Sequence, residues 1–353
     1  MHYETLFPVI KVFIVTTLGF ALAFLATPLW THVLYRFKLG KPIRDKAKAP
    51  VYAWLHRKKA GTPTMGGVLI WVPVLLIAVV FYYIDVFAPG SPLSQLNFLT
   101  RQETLLPLGA LIASSLVGLA DDWFSIKGTG IVAGGMRVWH RLVIYTVIAC
   151  TGSWWFFYKL GWDLLHVPFM GNFEVGWWYV PIFIFIIVAT SFSVNETDGL
   201  DGLAGGLLLA AFASFGAMAF VIGKFELATF CGVIVGALFS FLWFNINPAR
   251  FIMGDTGAMG LGVTLGIVAM LTNTALLLPI VCFLFVVESG SVIAQVASKK
   301  LFNRKIFLST PIHHHFEATG WSEPKVVMRF WIIAGLTSVA GVILFLLDQS
   351  LFW

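Results

Sequence analysis

The stretch that decides the fold is LAGGLLLAAFASFGAMAFVIGKFELATFCGVIVGALFSFLWF, residues 203–244. Its only charged residues are Lys224 and Glu226, which adjoin Gly223 near the middle of the stretch. A helix needs roughly 20 consecutive apolar residues to cross a bilayer core of about 30 Å. The stretch therefore predicts two membrane-spanning helices, at 203–222 and 225–244.

The same criterion extends outward to eight further apolar runs. The runs are long and continuous rather than short and alternating, which favours helices over a β-barrel. We therefore predict an all-α integral membrane protein of about ten transmembrane helices, with residues 1–353 forming a single domain. The remaining predicted spans are 8–35, 64–84, 104–120, 139–158, 177–194, 257–272, 275–297 and 328–347.

Composition supports a membrane protein and excludes a soluble one. Apolar residues make up 59% of the chain and charged residues only 11%, whereas soluble domains carry about 25% charged residues. The net charge of +6 follows from the basic bias of cytoplasmic loops and does not predict nucleic-acid binding. Cys150, Cys231 and Cys282 lie in apolar runs without paired spacing, which predicts buried free thiols.

The basic residues predict the orientation. Of the 23 Lys and Arg residues, all but Lys11, Arg101, Lys159 and Lys224 belong to one side of the predicted membrane. The positive-inside rule makes that side cytoplasmic and both termini external. The cytoplasmic loops are then 36–63, 121–138, 195–202, 245–256 and 298–327.

Polar groups with chemical potential fall on this cytoplasmic side. Asp121 and Asp122 close the third span, where adjacent carboxylates repel each other and resist desolvation. A divalent cation would offset both costs, although a solvated helix end is the simpler alternative.

The loop after the fifth span reads NETDGLDGL, residues 195–203. Asp198 and Asp201 are three residues apart and would share a face if this segment were helical. The glycines allow a ligand to approach the backbone closely. The alternative is a plain connection between two spans.

Two other segments carry candidate groups. Asp255 opens the eighth span in MGDTG, residues 253–257, where either a magnesium ligand in a phosphate site or an ordinary N-cap is expected. His313, His314 and His315 precede the last span and suit phosphate binding or acid–base work better than zinc, unless they only form a solvated loop. Glu288 lies within the ninth span, which favours either function or interhelical hydrogen bonding.

The first loop ends in KKAGTPTMGG, residues 58–67. Lys and Arg beside a membrane usually bind anionic headgroups generically. Here hydroxyls and glycines follow the basic residues, so a more specific phosphate or nucleotide contact is the second interpretation.

Taken in order, these strings resemble the phospho-N-acetylmuramoyl-pentapeptide transferase family, the bacterial translocase I enzymes of the polyprenyl-phosphate N-acetylhexosamine-1-phosphate transferase superfamily. The resemblance covers essentially the whole chain. The motifs that carry it are TPTMGG (62–67), Asp121-Asp122, residues 195–203, LWFN (242–245), MGD (253–255), PIHHHF (311–316), Gly320-Trp321 and RFW (329–331).

The resemblance implies a reaction and a location. UDP-N-acetylmuramoyl-pentapeptide and undecaprenyl phosphate would give lipid I and UMP for peptidoglycan synthesis, with Mg²⁺ required. The enzyme would be a multi-pass protein of the bacterial inner membrane and, by resemblance only, a homodimer.

The resemblance also assigns residues. Asp121, Asp122 and Asp255 would be catalytic, with Asp255 as a metal ligand and the aspartate pair as further candidates. The substrate would meet Lys59, Thr64, Asn195, Asp198, Asp201, Asn245, His313, His314 and His315.

Two positions depart from the family's pattern. Family members carry an aromatic residue directly before Met-Gly-Asp, expected to stack on uracil, where this chain has Ile252. Either Phe251 takes over or the stacking is lost. A family lysine after the second cytoplasmic loop has no clear equivalent in Arg137–Arg141, the segment RVWHR.

Three alternatives stay open at this point. A sister transferase that moves N-acetylglucosamine phosphate onto polyprenyl phosphate shares the carboxylate loops. A transporter would place its charged groups near the bilayer midplane, and this chain places them at one interface. Within the transferase interpretation, Asp121 either orients or deprotonates the lipid phosphate, or a carboxylate forms a phospho-enzyme.

Overall fold

The computed structural model describes residues 3–40, 59, 61–128 and 136–352. These residues form a helical bundle with one small hairpin. The helices are α1 (Tyr3–Arg36), α2 (Val68–Phe87), α3 (Leu105–Lys127), α4 (Val138–Trp154), α5 (Tyr179–Thr197), α6 (Leu203–Val221), α7 (Phe225–Asn245), α8 (Gly254–Leu271), α9 (Leu278–Val281), α10 (Phe283–Phe302), α11 (Ile312–Ala318) and α12 (Glu323–Phe352).

The hairpin lies between α4 and α5. Strands β1 (Leu164–Val167) and β2 (Gly171–Glu174) pair antiparallel, with Leu164 opposite Glu174. The Asp348 carboxylate of α12 accepts hydrogen bonds from the Phe169 N–H at 2.6 Å and meets His166 Nε2 at 2.5 Å. The hairpin is therefore fastened to the carboxyl end of α12.

Helix α8 occupies the centre of the bundle. All of its 18 residues are buried, and α3 and α5 pack along it. Its small residues let neighbouring backbones approach closely, as helix interfaces in membranes require. Helices α1 and α12 are more exposed, because only 22% of the most apolar segment of α1 and 28% of that of α12 is buried.

Helices α3 and α8 approach each other closely at Gly118. A Cβ built there would lie 2.2 Å from the Asp255 backbone oxygen. We expect Gly118→Ala to push the helices apart and lower the thermal midpoint in detergent, because overpacking costs about 1–3 kcal/mol. Gly109→Ala on the same helix is the control, since a Cβ at Gly109 meets nothing within 4 Å. Equal midpoints for the two variants would contradict the close packing.

The helical spans largely match the sequence prediction. Within the described residues, eight helices are long and apolar enough to cross a membrane, or nine if one bent pair counts as a single span. The predicted span 139–158 is helical as α4 and continues into a π turn, Trp155–Lys159, but α4 has only 17 residues. The ten-span count and the external termini remain predictions. The basic residues between 41 and 58 that weighed in the orientation lie outside the described residues.

Three details of the prediction are wrong. The ninth span is broken: the segments Ala275–Val281 and Phe283–Phe302 meet at an angle of 84°. Helix α3 continues to Lys127, so Asp121 and Asp122 lie inside the helix rather than at its end. Cys231 and Cys282 are buried free thiols as predicted, but Cys150 is exposed on α4, because its helix lies at the edge of the bundle.

Candidate active site

Two buried carboxylates from different helices converge on one cation. Asp121 of α3 is fully buried and Asp255 of α8 is 5% exposed. Arg141 Nη2 lies 2.8 Å from Asp121 Oδ2 and 3.2 Å from Asp255 Oδ2. Buried charges of the same sign need a cation or neutralisation, because desolvation penalises the ionised form. Arg141, on the first turn of α4, supplies that cation.

Asn195 completes this group from the last turn of α5. Its carbonyl oxygen accepts a 2.7 Å bond from Arg141, and its amide donates at 2.8 Å to Asp255 Oδ1. The Met136 N–H donates to Asp121 Oδ1 at 2.7 Å. The side chains of Asp121, Arg141, Asn195 and Asp255 form what we call the carboxylate centre.

Asp122 faces a different environment from its neighbour. Its two oxygens accept the backbone N–H groups of Asp255 and Thr256, each at 3.1 Å. These are orphan donors at the N-terminus of α8, where a negative charge is favourable. The Thr64 hydroxyl lies 3.4 Å from Asp122. Asp122 and Thr64 therefore fix the turn that presents Asp255.

The loop between α5 and α6 is a turn and not a helix, so the conditional argument that Asp198 and Asp201 share a helical face does not apply. Asp198 accepts the Gly254 N–H at 3.0 Å, which ties the loop to the start of α8. Asp201 faces away from this contact. Its Oδ2 accepts bonds from the Asn247 amide at 3.0 Å and the Ala249 N–H at 3.1 Å.

Lys59 forms a second charged group with Asp201 and Glu323. Its ammonium lies 2.6 Å from Asp201 Oδ1 and also contacts Glu323, whose carboxylate accepts the Asp201 N–H at 2.7 Å. Burial alone would lower the pKa of Lys59, but the two carboxylates outweigh it and the pKa is raised. Lys59 is therefore charged at neutral pH and joins the first loop to the loop between α5 and α6 and to the start of α12.

Asn245 and Phe251 contact other parts of the protein's own core and loops. Asn245 accepts the Gly202 N–H at 2.9 Å and donates to the Phe251 carbonyl at 2.7 Å. Phe251 is fully buried and packs against Phe241 and Phe244. Phe251 is thus part of the core and does not present a ring for stacking on a base.

The three histidines lie on α11 and in different surroundings. His313 is fully buried and bonds through Nδ1 to Glu288 at 2.9 Å, and His314 bonds through Nδ1 to Glu317 at 2.7 Å. His315 accepts the Leu308 N–H at 3.2 Å. A Cβ at Gly199 would lie within 2.4 Å of His313 Nε2 and 3.3 Å of His314 Nε2. Both rings therefore lie against the 195–203 loop, and Glu288 is the interhelical partner of His313.

The side chains present supply only some of the ligands that a magnesium ion needs. Among the residues that the structure describes, no three His, Cys, Asp or Glu side chains are grouped to hold a metal. Asp121 and Asp255 offer hard carboxylate oxygens at one point, and Mg²⁺ usually takes one or two carboxylates plus water and substrate phosphates. The donor set of the carboxylate centre therefore suits Mg²⁺ bound together with a diphosphate.

Sequence reasoning missed two members of these groups. The sequence patterns assign no role to Arg141 beyond its place in the segment Arg137–Arg141, and they assign none to Glu323. The position of Arg141 at the start of an apolar helix could have identified it, because a charge buried there requires a partner of opposite charge. Glu323 has no such signal. It is the first residue of α12, where a carboxylate is favourable in any helix, so its position does not indicate a role in a site.

The central part of the chain matches a known family model. The chain matches the model described as "Glycosyl transferase family 4" over residues 104–273, which include all the helices from α3 to α8. It is therefore a multi-pass helical membrane protein with the central sequence of a glycosyl transferase.

Relatives and a short signature define the family. Residues 59–70 match "Phospho-N-acetylmuramoyl-pentapeptide-transferase signature 1". Proteins called phospho-N-acetylmuramoyl-pentapeptide-transferase are similar to this chain along most of their length. The one from Chloroflexus aggregans is 36% identical over 94% of this chain and 89% of its own length. The one from Desulforamulus reducens is 36% identical over 97% of both chains, and the one from Levilactobacillus brevis is 38% identical over 86% and 88%.

The chain belongs to the phospho-N-acetylmuramoyl-pentapeptide-transferase family. This confirms the resemblance and favours it over the N-acetylglucosamine-phosphate sister transferase and the transporter. The roles of the individual site residues remain predictions.

Proposed function

We propose that this protein transfers phospho-N-acetylmuramoyl-pentapeptide from its UDP-activated form to undecaprenyl phosphate, releasing UMP and forming lipid I. The observation that carries the proposal is the convergence of Asp121 and Asp255 on Arg141. Both reactants are anions, so the site must combine groups that bind a cation with groups that bind phosphate. The carboxylate centre and the adjacent histidines supply these two kinds of group.

The proposed chemistry is a direct displacement. An oxygen of the lipid phosphate attacks the β-phosphorus, the bond to the leaving phosphate breaks, and its electron pair remains on UMP. Asp255 and Asp121 would hold Mg²⁺, which would supply charge neutralisation at the diphosphate. Appearance of radioactive protein from a β-³²P-labelled donor without acceptor would support the phospho-enzyme alternative instead.

The residues of the chain position these reactants. Asp121 has Oδ1 bonded to the Met136 N–H and Oδ2 to Arg141, which favours orienting the acceptor over removing its proton. Arg141, on the solvent side of the two carboxylates, presents a cation to the diphosphate. His314, paired with Glu317, lies against the 195–203 loop and donates to a sugar or phosphate oxygen. This end of the bundle faces the cytoplasm in our proposal, because UDP-linked donors are cytoplasmic.

The test is UMP release by purified protein with undecaprenyl phosphate and UDP-N-acetylmuramoyl-pentapeptide. We expect release to stop with EDTA and to return with added Mg²⁺, because charge neutralisation at the diphosphate depends on the ion. Ca²⁺ at the same concentration is the control, since its larger size and looser geometry suit the site less well. Full activity after EDTA treatment would contradict the proposed metal role.

The donor is tested in the same assay. UDP-N-acetylglucosamine should give less than about one-hundredth of the release, because a site that binds polar groups discriminates strongly against a donor that lacks them. Equal release from both donors would contradict the proposed substrate.

A further inference from the structure

A basic, apolar segment follows the site at the same end of the bundle. Residues 296–308, which we call the basic hook, comprise the end of α10 and the chain that returns towards α11. Eight consecutive residues, 299–306, are exposed. None of the site residues above belongs to the hook.

The hook carries only positive charge. Its cations are Lys299, Lys300, Arg304 and Lys305, and the nearest acidic residues in the sequence are Glu288 and Glu317. None of the four cations forms an ion pair with another residue in the described part of the chain. Four cations within seven residues, with no acidic partner among the described residues, create a positive potential that a surface anion would neutralise.

Large apolar side chains stand between these cations and directly after them. Leu301 is 74% exposed, Phe302 71%, and Ile306 and Leu308 56% each. In water this exposure would be unfavourable. At a membrane surface the apolar groups enter the acyl boundary while the Lys and Arg head groups reach the phosphates. The pattern therefore matches a lipid surface better than an acidic protein, which would leave the apolar groups in water.

The hook is held in one conformation by buried polar side chains. The Gln295 carbonyl accepts the N–H groups of Ile306 and Phe307 at 2.9 and 3.0 Å, and its amide donates to the Phe307 carbonyl at 2.9 Å. Ser298 donates to the Arg304 carbonyl at 2.9 Å. These bonds fix the backbone, so the cations are presented without the entropic cost of ordering a free loop.

A pocket of about 490 Å³ opens within the hook and is lined by Ser298, Phe302, Arg304, Lys305 and Ile306. Its lining joins two cations, a hydroxyl and two apolar side chains. We infer that the basic hook is a binding site for the headgroup of an anionic phospholipid of the bilayer, with the phosphate between Arg304 and Lys305.

Occupancy of this site has a route to the histidines. Leu308, at the end of the hook, donates its N–H to His315 Nδ1, and the Phe307 ring lies 5.6 Å from the His315 ring. A headgroup that steadies the hook would therefore also steady α11.

The experiment is native mass spectrometry of the full chain from micelles that contain equal phosphatidylglycerol and phosphatidylcholine. We compare Arg304→Gln/Lys305→Gln with Arg36→Gln/Lys38→Gln, a control pair that removes the same charges from exposed positions at the end of α1. Each Lys or Arg that contacts an anionic headgroup contributes about a fivefold preference, so removing the two cations that line the pocket should lower retention of phosphatidylglycerol about tenfold or more. The control pair should change it less than about threefold, and phosphatidylcholine should be unaffected.

Three results would overturn the inference. The hook pair could retain phosphatidylglycerol like the unaltered protein, or both pairs could lose it equally, which would indicate generic attraction. Alternatively, in micelles to which undecaprenyl phosphate is also added, the hook pair could lose that lipid while keeping phosphatidylglycerol, which would assign the hook to the acceptor lipid. Unchanged thermal midpoints check that the variants fold. The measurement needs no turnover, so it stands or falls apart from the proposed reaction.

Discussion

Asp255→Asn should reduce UMP release at least about a thousandfold, the largest effect expected of any single substitution here. The carboxylate accepts bonds from Asn195 through Oδ1 and from Arg141 through Oδ2. An amide of the same shape would turn an NH₂ group towards one of these donors and remove the negative charge. We would measure the initial rate at saturating Mg²⁺ in detergent, together with the thermal midpoint.

The control for this prediction is Glu174→Gln. Glu174 is an exposed carboxylate on β2, on the hairpin fastened to the carboxyl end of α12. Its variant should retain the full rate. An Asp255→Asn protein that folds and turns over within tenfold of the unaltered enzyme would remove Asp255 from the chemistry.

Arg141→Met should reduce the rate about a hundredfold or more and also lower the thermal midpoint. The substitution removes the cation shared by Asp121 and Asp255, and it leaves two buried carboxylates without compensation. Breaking a buried pair by removing one partner costs about 3–5 kcal/mol. The readouts are single-turnover rate and thermal unfolding.

Arg141→Lys separates charge from geometry. Lysine restores the charge but cannot bond Asp121, Asn195 and Asp255 at once through a planar fork. We therefore expect stability to recover further than rate. If Arg141→Met keeps the full rate and only stability falls, then Arg141 has a structural role. Another cation must then bind the diphosphate.

Most of the fold could be predicted from hydropathy. Long apolar runs such as α6 and α7 can be recognised from local sequence, because each helix satisfies its own backbone hydrogen bonds. The break between Val281 and Phe283 could not, since the apolar pattern continues through it without a charged residue. The burial of Cys231 and the exposure of Cys150 likewise depend on which neighbours the bundle supplies.

The site could be predicted in part, and for a physical reason. Clustering on one face identified Asp121, Asn195 and Asp255 as a group, and the structure brings these three side chains together. Their shared cation could not be paired with them from sequence alone, because the Arg141–Asp255 contact spans 114 residues. The contact between Lys59 and Glu323 spans 264 residues, and no local pattern encodes such a separation.

The burial of α8 has a consequence for adaptation to membranes of different thickness. A helix that faces lipid responds to a thicker or thinner bilayer by tilting, at a cost of fractions of a kcal/mol per Å of mismatch. Helices α1 and α12 have lipid-facing surface with which to do so, whereas α8 has none. Asp255 is therefore held at a depth set by contacts within the protein, and the outer helices can adjust to the host membrane around a stationary carboxylate.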